Sequence, residues 1–367
     1  MKKILFLIQL PPPVHGASVV NKSIQNSALI NNSFDTRYVN ISPAKELSDI
    51  GKFSIEKLLS AIRIYTNSIK VLLEFKPDLV YLTLSPHGLA FYKDGLLAIM
   101  IKLLGGKLVF HMHGKGIRNI VRKSFFKRVI YRLVFKRVDV IHLAECLFSD
   151  IEDVRDQSKT ITAVANGIPP INENKVESKN EIFTFIYLSN LVRSKGADIL
   201  VQAAGVIPEA YQKKFQVLIV GKAVDPDYVD EIKQLVALNA QNNVQLLGGM
   251  YGSDKTNELI RAHVFVFPTW YRNECFPLAI LEAMSTGLPV ISTDEGAIAD
   301  IVDAGKTGEI LHINTPEELA KIMIQYMESP EYTNKCAAAS LAKFKKNYTN
   351  DIFENSLVVL LEKLTLN

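Results

Sequence analysis

Short apolar runs alternate with helical segments along this chain, and the whole pattern occurs twice. In the first half, runs typical of buried strands cover residues 4–10, 79–84, 108–112, 138–143 and 160–164. In the second half, similar runs cover residues 183–188, 216–221, 244–247, 264–268 and 289–293. Strands joined through helices need crossover connections, so the alternation predicts parallel, doubly wound α/β sheets.

The length of 367 residues favours two domains, because single cores rarely grow beyond about 250–300 residues. A polar run over 172–181 separates the two patterns and is the predicted boundary. We therefore expect one Rossmann-like domain over 1–168 and another over 169–349, with a C-terminal helix at about 350–367 packing back on the first. Loops at the carboxyl ends of the strands would face a central cleft, since sites favour domain interfaces.

The composition is that of a folded globular protein, with 48% hydrophobic and 22% charged residues. The apolar run that follows Lys3 is too short for a signal peptide, and the run over 95–104 is too short to span a membrane. The three cysteines are odd in number and scattered, which argues against a disulfide framework or a metal site. These features predict a cytoplasmic protein with reduced thiols.

The stretch 274–291 combines two carboxylates, a helix and an apolar strand. Pro277 suits the first helical position and Gly287 suits the residue that follows the helix. Glu274 would lie on the approach loop, with Glu282 about two turns into the helix. Free amides at the helix start favour anions, so we expect a ligand with phosphates in its middle and hydroxyls at both ends, such as a nucleotide-sugar. The alternative is a surface helix with two solvated glutamates.

Two loops in the first half follow predicted strands and carry small residues. The loop after the first strand contains Gly16 and Ala17, which allow a close approach of backbone to ligand, although the Gly-x-Gly-x-x-Gly pattern is absent. His113 lies beside a glycine at the end of a strand, where a ligand role and a structural role are equally open.

A loop in the second half carries cations after the strand at 183–188. Ser194 is the predicted N-cap of the next helix. Lys195 would face a strand end and bind a diphosphate, with Arg193 as a second cation.

Residues 115–137 hold nine lysines and arginines and no acidic residue, whereas the formal net charge of the whole chain is +4. Apolar residues recur there at helical spacing, so we expect a helix with part of its surface on the sheet. The remaining cationic and aromatic surface suits an anionic membrane, where each cation contributes about 1 kcal/mol. A solvated basic helix is the alternative, and nucleic acid is not expected because no recognition motif accompanies the charge.

With these features in view, the chain resembles the retaining glycosyltransferases of the GT-B fold, specifically glycosyltransferase family 4. The resemblance covers nearly the whole chain and is strongest over 189–311. It rests on a Glu-x7-Glu motif from Glu274 to Glu282, within Glu-Cys-Phe-Pro-Leu-Ala-Ile-Leu-Glu-Ala-Met. The following Gly-Leu-Pro-Val-Ile at 287–291, and the later Gly296 and Gly308, stand where the family places them.

The resemblance implies a role for each of these positions. Glu274 would contact the donor hexose, Lys195 would neutralise the leaving diphosphate, and His113 would approach the donor sugar from the N-terminal domain. Glu282 would bind the ribose hydroxyls. The other implied donor-binding residues lie in the strand-end loops: Gly16, Ala17, Asn190, Arg193, Met250, Phe276, Pro277 and Leu278. The family commonly has an arginine where this chain has Asn190, and Arg193 is the predicted replacement.

The implied reaction is transfer of a hexose-type sugar from a UDP- or GDP-sugar to a glycan acceptor, with retained anomeric configuration and without a metal ion or other cofactor. We expect a lipid-linked acceptor in bacterial surface polysaccharide biosynthesis, such as capsule or O-antigen, and peripheral association with the inner face of the cell membrane. Alternatives within the fold are a sugar-nucleotide epimerase or a phosphorylase. From another class, the alternative is a catalytically silent sugar-nucleotide-binding subunit. The sugar, the base, the acceptor, the linkage and the oligomeric state stay open.

Overall fold

The structure, a computed structural model, describes residues 1–42, 55–171, 178–238 and 243–366. The chain divides into two units, Met1–Gly167 with Asn350–Asn367 and Ile168–Thr349. Of the polar run predicted as the boundary, residues 172–177 lie outside the described residues. Each unit contains a parallel six-stranded sheet with helices packed on it, which confirms the predicted α/β fold class.

The first unit forms a doubly wound sheet with the strand order β2-β1-β3-β4-β5-β6. Its strands are β1 (Lys3–Ile8), β2 (Asp35–Asn40), β3 (Leu79–Leu84), β4 (Leu108–Met112), β5 (Asp139–His142) and β6 (Ile161–Ala163). Its helices are α1 (Gly16–Asn26), α2 (Ala28–Ser33), α3 (Ile55–Phe75), α4 (Gly88–Leu103), α5 (Ile117–Arg122), α6 (Phe125–Phe135) and α15 (Asn350–Leu366). The central strand β3 is buried at every position because helices cover both faces of a parallel sheet.

The second unit has the strand order β12-β11-β10-β7-β8-β9, which is the Rossmann order. Its strands are β7 (Phe183–Leu188), β8 (Phe215–Val220), β9 (Val244–Gly248), β10 (Val264–Phe267), β11 (Val290–Ser292) and β12 (Gly308–Ile310). Its helices are α7 (Ala197–Val206), α8 (Glu209–Gln212), α9 (Pro226–Leu238), α10 (Gly252–Arg261), α11 (Leu278–Ser285), α12 (Ile298–Ile301), α13 (Pro316–Glu328) and α14 (Pro330–Asn347). The strands β10 and β11 pair in parallel, with Phe265 opposite Val290 and Phe267 opposite Ser292.

The C-terminal helix α15 belongs to the first unit and packs against α2. Ser27 donates its hydroxyl to Glu354 at 2.6 Å, and this contact is buried. Lys107 donates to the carbonyl oxygen of Leu364 at 2.5 Å at the other end of the helix. Polar contacts at both ends therefore hold α15 against a unit whose other residues precede it by more than about 180 positions.

The basic stretch 115–137 differs from the single helix that its periodicity predicts, because it forms α5 and α6 with a break between them. Ser124 lies at the break in an extended conformation, and its hydroxyl accepts a hydrogen bond from the backbone N–H of Lys127. A serine at this position caps a new helix instead of continuing the old one. At the other end of α5, the Asp150 carboxylate accepts from the amides of Gly116 at 2.9 Å and Ile117 at 3.0 Å.

Some elements have no counterpart among the sequence predictions. They include the strand β2 and the helices α8, α9, α10, α12 and α14. In β2 exposed residues alternate with partly or fully buried ones, as expected of an edge strand, so its apolar content is low. The sequence of α14 is largely polar, and the helix is partly buried because it packs against α11 and α13.

Candidate functional site

The strand order of the second sheet reverses between β7 and β10, which are hydrogen-bonded neighbours. From β7 the chain winds outward through β8 and β9, and from β10 it winds the other way through β11 and β12. Loops that leave such a switch point diverge and open a crevice at the carboxyl ends of the strands, where doubly wound sheets bind ligands. Lys195 follows β7 and Glu274 follows β10, so both predicted residues lie at this point.

The Lys195 ammonium lies 2.5 Å from Oε2 of Glu274. The two side chains are 19% and 10% exposed, so water screens this ion pair only slightly. The same ammonium lies 4.5 Å from the centre of the Tyr271 ring. Aromatic faces attract cations, so Tyr271 supports the position of the lysine. A positive and a negative group are thus held together in a largely dry environment.

The loops that carry this pair are tied to each other through the backbone of Ser194. Its carbonyl oxygen accepts from the N–H of Trp270 at 2.9 Å and from the hydroxyl of Thr269 at 3.2 Å. Gly196 has a φ of +77°, and a Cβ there would lie 2.1 Å from the carbonyl oxygen of Pro268. Only glycine permits this approach. The predicted N-cap at Ser194 is wrong, because Gly196 precedes α7 and Ser194 lies in a 3-10 turn over Arg193–Lys195.

The loop after β11 packs against the backbone of Glu274 and Cys275. Gly296 has a φ of +66°, and a Cβ there would lie 2.4 Å from the carbonyl oxygen of Glu274. The next amide, that of Ala297, donates to the carbonyl oxygen of Cys275 at 2.9 Å. The amide of Glu274 itself donates to the carbonyl oxygen of Tyr271 at 2.7 Å. The backbone of Glu274 is therefore held from two loops.

The helix α11 begins just after this loop. Pro277 is its N-cap, one position before the first helical residue, so the sequence prediction was off by one residue. The amides of Leu278 and Ala279 are in the first turn and have no intrahelical acceptors. Phe276 is buried against Tyr348, with ring centres 5.9 Å apart. The start of α11 therefore presents free N–H groups within the same strand-end loop as Glu274.

Glu282 is the fifth residue of α11, about one turn into the helix and not two as predicted. Its carboxylate accepts from Lys255 at 2.7 Å, and both side chains are about one quarter exposed, at 27% and 24%. Lys255 was not among the predicted residues, since nothing in the sequence links it to a glutamate 27 positions later. The sequence signal that could have identified Lys255 is its position as a cation in the first turn of α10, a helix that follows the end of a strand.

The Arg193 side chain is already paired with an acidic residue in this conformation. Its guanidinium makes a two-point ion pair with Glu231 of α9, at 2.9 Å for one of the two contacts. It also stacks over the ring of Tyr228 at 5.1 Å. A diphosphate would have to compete with Glu231 for this cation. Asn190 is exposed, and Met250 is half-buried in the loop after β9.

In the first unit, Gly16 and Ala17 are the first two residues of α1 and not part of the preceding loop as predicted. The preceding His15 caps the helix, because its ring accepts from the amide of Ser18 and the hydroxyl of Ser18 accepts from the amide of His15. The amides of Gly16 and Ala17 lie in the first turn without intrahelical acceptors. A Cβ on Gly16 would meet nothing within 4 Å, so this position is open.

His113 lies in a cluster of histidines that the sequence predictions did not include. Its ring centre is 4.0 Å from that of His111, and His142 ends the neighbouring strand β5. The Nδ1 of His111 is bonded to the hydroxyl of Tyr81, and the Nδ1 of His142 accepts from the amide of Leu143 at 2.9 Å. The Nε2 atoms of these two histidines, and both ring nitrogens of His113, are buried without a hydrogen-bond partner among the described residues.

Burial keeps these histidines neutral. It lowers the pKa of His113 to about 3, with the nearby His142 and His15 adding to the effect. Burial likewise lowers the pKa of His142 to about 3 and holds that of His111 well below its ordinary value. Each neutral imidazole retains one N–H donor, so this cluster holds hydrogen-bonding capacity that the described residues do not satisfy. The position of His142 at the end of an apolar run was the sequence signal for this cluster.

The structure therefore brings Lys195 and Glu274 into direct contact and places the start of α11 on the same loop as Glu274. It places Gly16 and Ala17 at a separate helix start in the first unit. Among the described residues, no three His, Cys, Asp or Glu side chains converge in a way that could hold a metal ion. The expectation of a reaction without a metal stays a prediction.

Comparison with known proteins bears on this arrangement. Residues 170–342, nearly all of the second unit, match the family described as glycosyl transferases group 1. One component of the phosphatidylinositol N-acetylglucosaminyltransferase of Homo sapiens is 32% identical over 126 residues, which are 34% of this chain and 25% of that protein. The capsular polysaccharide biosynthesis glycosyltransferase CapM of Staphylococcus aureus is 27% identical over 298 residues, 76% of this chain and 72% of CapM.

The first of these matches spans about a quarter of the length of the human protein. Among solved structures, that of Anabaena Alr3699/HepE in complex with UDP-glucose has a TM-score of 0.75 at 20% sequence identity. That comparison covers 99% of this chain and all of the Anabaena chain. It confirms the two-sheet arrangement as the GT-B fold, and the family match confirms the resemblance to glycosyltransferases of this fold. Residues 170–342, which contain both Lys195 and Glu274, are therefore similar to the glycosyl transferases group 1 family.

Proposed function

We propose that this protein transfers a hexose-type sugar from a nucleoside diphosphate donor to a glycan acceptor in the biosynthesis of a surface polysaccharide. The observation that carries the proposal is the Lys195–Glu274 pair, held at 2.5 Å at the strand-order switch point of the second sheet. A cation there can neutralise the leaving diphosphate, and a carboxylate beside it can accept hydrogen bonds from sugar hydroxyls. CapM, whose name places it in capsular polysaccharide biosynthesis, supports the class of product.

The donor is proposed to lie along the strand ends of the second unit. Its phosphates would meet Lys195 and the free amides of Leu278 and Ala279, because helix starts carry partial positive charge. Its ribose would meet the Glu282 carboxylate, which Lys255 holds at 2.7 Å. UDP is the favoured nucleotide, since the Anabaena neighbour with the same fold was solved with UDP-glucose. A GDP-sugar is the other donor to test.

The transfer is proposed to retain the anomeric configuration and to proceed without a metal ion. Charge that develops on the leaving diphosphate would be stabilised by Lys195 and the start of α11, groups already in place before the reaction. Glu274 would hold the hexose, and the acceptor would attack from the face that the leaving diphosphate departs. His113, kept neutral by burial, would donate a hydrogen bond to a sugar hydroxyl. The acceptor is proposed to be a lipid-linked glycan.

The proposal is tested by incubating the protein with a panel of UDP- and GDP-sugars and measuring release of the nucleoside diphosphate. We expect slow release with one donor from hydrolysis and faster release once a glycan acceptor is added. The anomeric configuration of the product, read by NMR, tests retention, and added chelator tests metal independence. Conversion of the donor sugar to an isomer would instead identify an epimerase, and donor binding without any turnover would identify a silent binding protein.

A further inference from the structure

The helix α6 presents an apolar face outward. Its inner side consists of Tyr131, Val134 and Phe135, all buried in the core of the first unit. With about 100° of rotation per residue, the opposite arc of the helix is also apolar. The large side chains on that arc, each between 40% and 80% exposed, are Phe125, Phe126, Val129, Ile130 and Leu133. A helix packed on a core normally carries polar residues there, so this arc is not explained by the fold.

The neighbouring helix α4 carries a similar outward stripe. The positions Leu89, Tyr92, Leu96 and Leu103 follow helical spacing and are 56%, 40%, 49% and 81% exposed. The two helices pack closely, because a Cβ on Gly95 of α4 would lie only 2.9 Å from Cγ2 of Val134 of α6. On each helix the exposed arc lies next to the contact between them. The two stripes therefore form one surface, named here the α4–α6 face.

The core does not need the α4–α6 face. The inner sides of α3, α4 and α6 already cover one side of the sheet, as shown by the buried Phe91, Ile101 and Phe135. Scattered exposed apolar residues are common, but contiguous large patches on a protein surface mark interaction sites. The apolar residues are therefore available for a partner.

Cations border this apolar surface. Arg128 and Arg132 follow the apolar arc of α6 on one edge, and Lys123, Lys127 and Lys136 lie exposed at its two ends. No acidic residue occurs anywhere between Lys115 and Arg137. A symmetric contact with a second copy of this chain would bring these like charges together at an isologous interface, which is unfavourable. An apolar surface edged with cations is complementary to lipid chains below anionic headgroups.

We propose that the α4–α6 face docks on an anionic lipid bilayer, with the exposed apolar side chains in the acyl region and the flanking cations at the lipid phosphates. The proposal deepens the proposed function, since it rests on a lipid-linked acceptor for its role in the reaction. None of the described helices is long and apolar enough to cross a bilayer, and the docked helices lie in the plane of the interface.

The test is sedimentation of the full-length protein with vesicles of phosphatidylcholine alone or of phosphatidylcholine with phosphatidylglycerol, at low and high salt. We expect binding to the phosphatidylglycerol vesicles that weakens at high salt. Phe125→Ser combined with Phe126→Ser should weaken partition at least about tenfold. Lys123→Glu combined with Lys127→Glu should weaken it at least about fivefold for each position. The matched control is Val359→Ser on α15, a residue 66% exposed, which should bind as the wild type does.

Absence of wild-type binding to phosphatidylglycerol vesicles at low salt overturns the proposal, and so does wild-type binding by the double phenylalanine variant. A dimer in size-exclusion chromatography that Phe126→Ser dissociates, without vesicle binding, assigns the face to a second copy and also overturns it. Release of UDP from UDP-sugars without vesicles is measured on the same preparations. Turnover without vesicle binding refutes the docking alone, whereas vesicle binding without turnover with any donor refutes the proposed function alone.

Discussion

Lys195 Nζ lies 2.5 Å from Oε2 of Glu274, although the two residues are 79 positions apart in the chain. They meet because β7 and β10 are neighbours at the point where the strand order of the second sheet reverses. Glu274 is 8% exposed as a residue, so its carboxylate relies on the lysine for compensation. Removing one partner of such a pair leaves an uncompensated charge in a poorly solvated place. An arriving diphosphate would find a cation already in position.

Glu274→Gln is expected to lower the rate of sugar transfer about a hundredfold, because a positioned electrostatic contact to the donor would be lost. The change keeps the size of the side chain, so urea unfolding should show a folded protein. Steady-state kinetics with the donor identified in the nucleotide panel measures the effect. Glu317→Gln at the exposed start of α13 is the control and should be as active as the wild type. Activity of Glu274→Gln near the wild-type level would contradict the assigned role.

Gly296→Ala is expected to lower activity, because its Cβ would lie 2.4 Å from the carbonyl oxygen of Glu274 and would displace that residue. Misplacement of a reacting group by about 1 Å can cost about a hundredfold in rate. Gly305→Ala is the matched control, since its φ of +72° is close to the +66° of Gly296 but its Cβ would meet nothing within 4 Å. Both variants carry about 1–2 kcal/mol of backbone strain. Equal activity losses in the two variants would show that strain alone is responsible.

Arg193→Ala is expected to weaken donor binding about tenfold, if the guanidinium leaves Glu231 to contact the diphosphate. The companion variant Glu231→Gln removes the competing carboxylate, which lies 2.9 Å from the guanidinium at one contact. That variant should bind the donor more tightly than the wild type. Calorimetric titration with the donor measures both affinities. Unchanged affinity in Arg193→Ala refutes the idea that this residue replaces the arginine expected at Asn190.

The first unit is expected to lose stability as the pH falls below about 6.5. The pKa of His113 and that of His142 are lowered from 6.5 to about 3 by burial, so below pH 6.5 the unfolded chain binds protons that the folded unit does not. Each such histidine lowers the free energy of unfolding by up to about 1.4 kcal/mol per pH unit, between pH 6.5 and 3. Urea unfolding between pH 7 and pH 5 avoids most carboxylate titration.

His142→Gln tests the origin of this pH dependence. The variant removes one of the buried histidines with a lowered pKa and should reduce the slope of stability against pH between pH 7 and pH 5. Replacement of the exposed His312 by glutamine is the control and should leave the slope as it is in the wild type. A slope that does not change in His142→Gln would show that the buried histidines do not account for it.

Much of the fold could be predicted because helices and strands follow patterns within a few consecutive residues. The C-terminal helix predicted at about 350–367 is present as α15, Asn350–Leu366, since apolar periodicity is a local signal. Boundaries that depend on a single cap were harder to predict. Ser124 interrupts the basic stretch as an N-cap, whereas Ser194 does not cap α7, because Gly196 must approach Pro268.

The α/β class, the two similar strand patterns and the Glu-x7-Glu motif could be read from the amino acids in order, and the two sheets and the family match agree with them. The pairing of Lys195 with Glu274, the pairing of Arg193 with Glu231 and the outward direction of the apolar arc of α6 follow from the three-dimensional packing. Apolar periodicity depends only on residues close together in the chain. The partner of a side chain depends on strand order and helix packing, which bring together residues tens of positions apart.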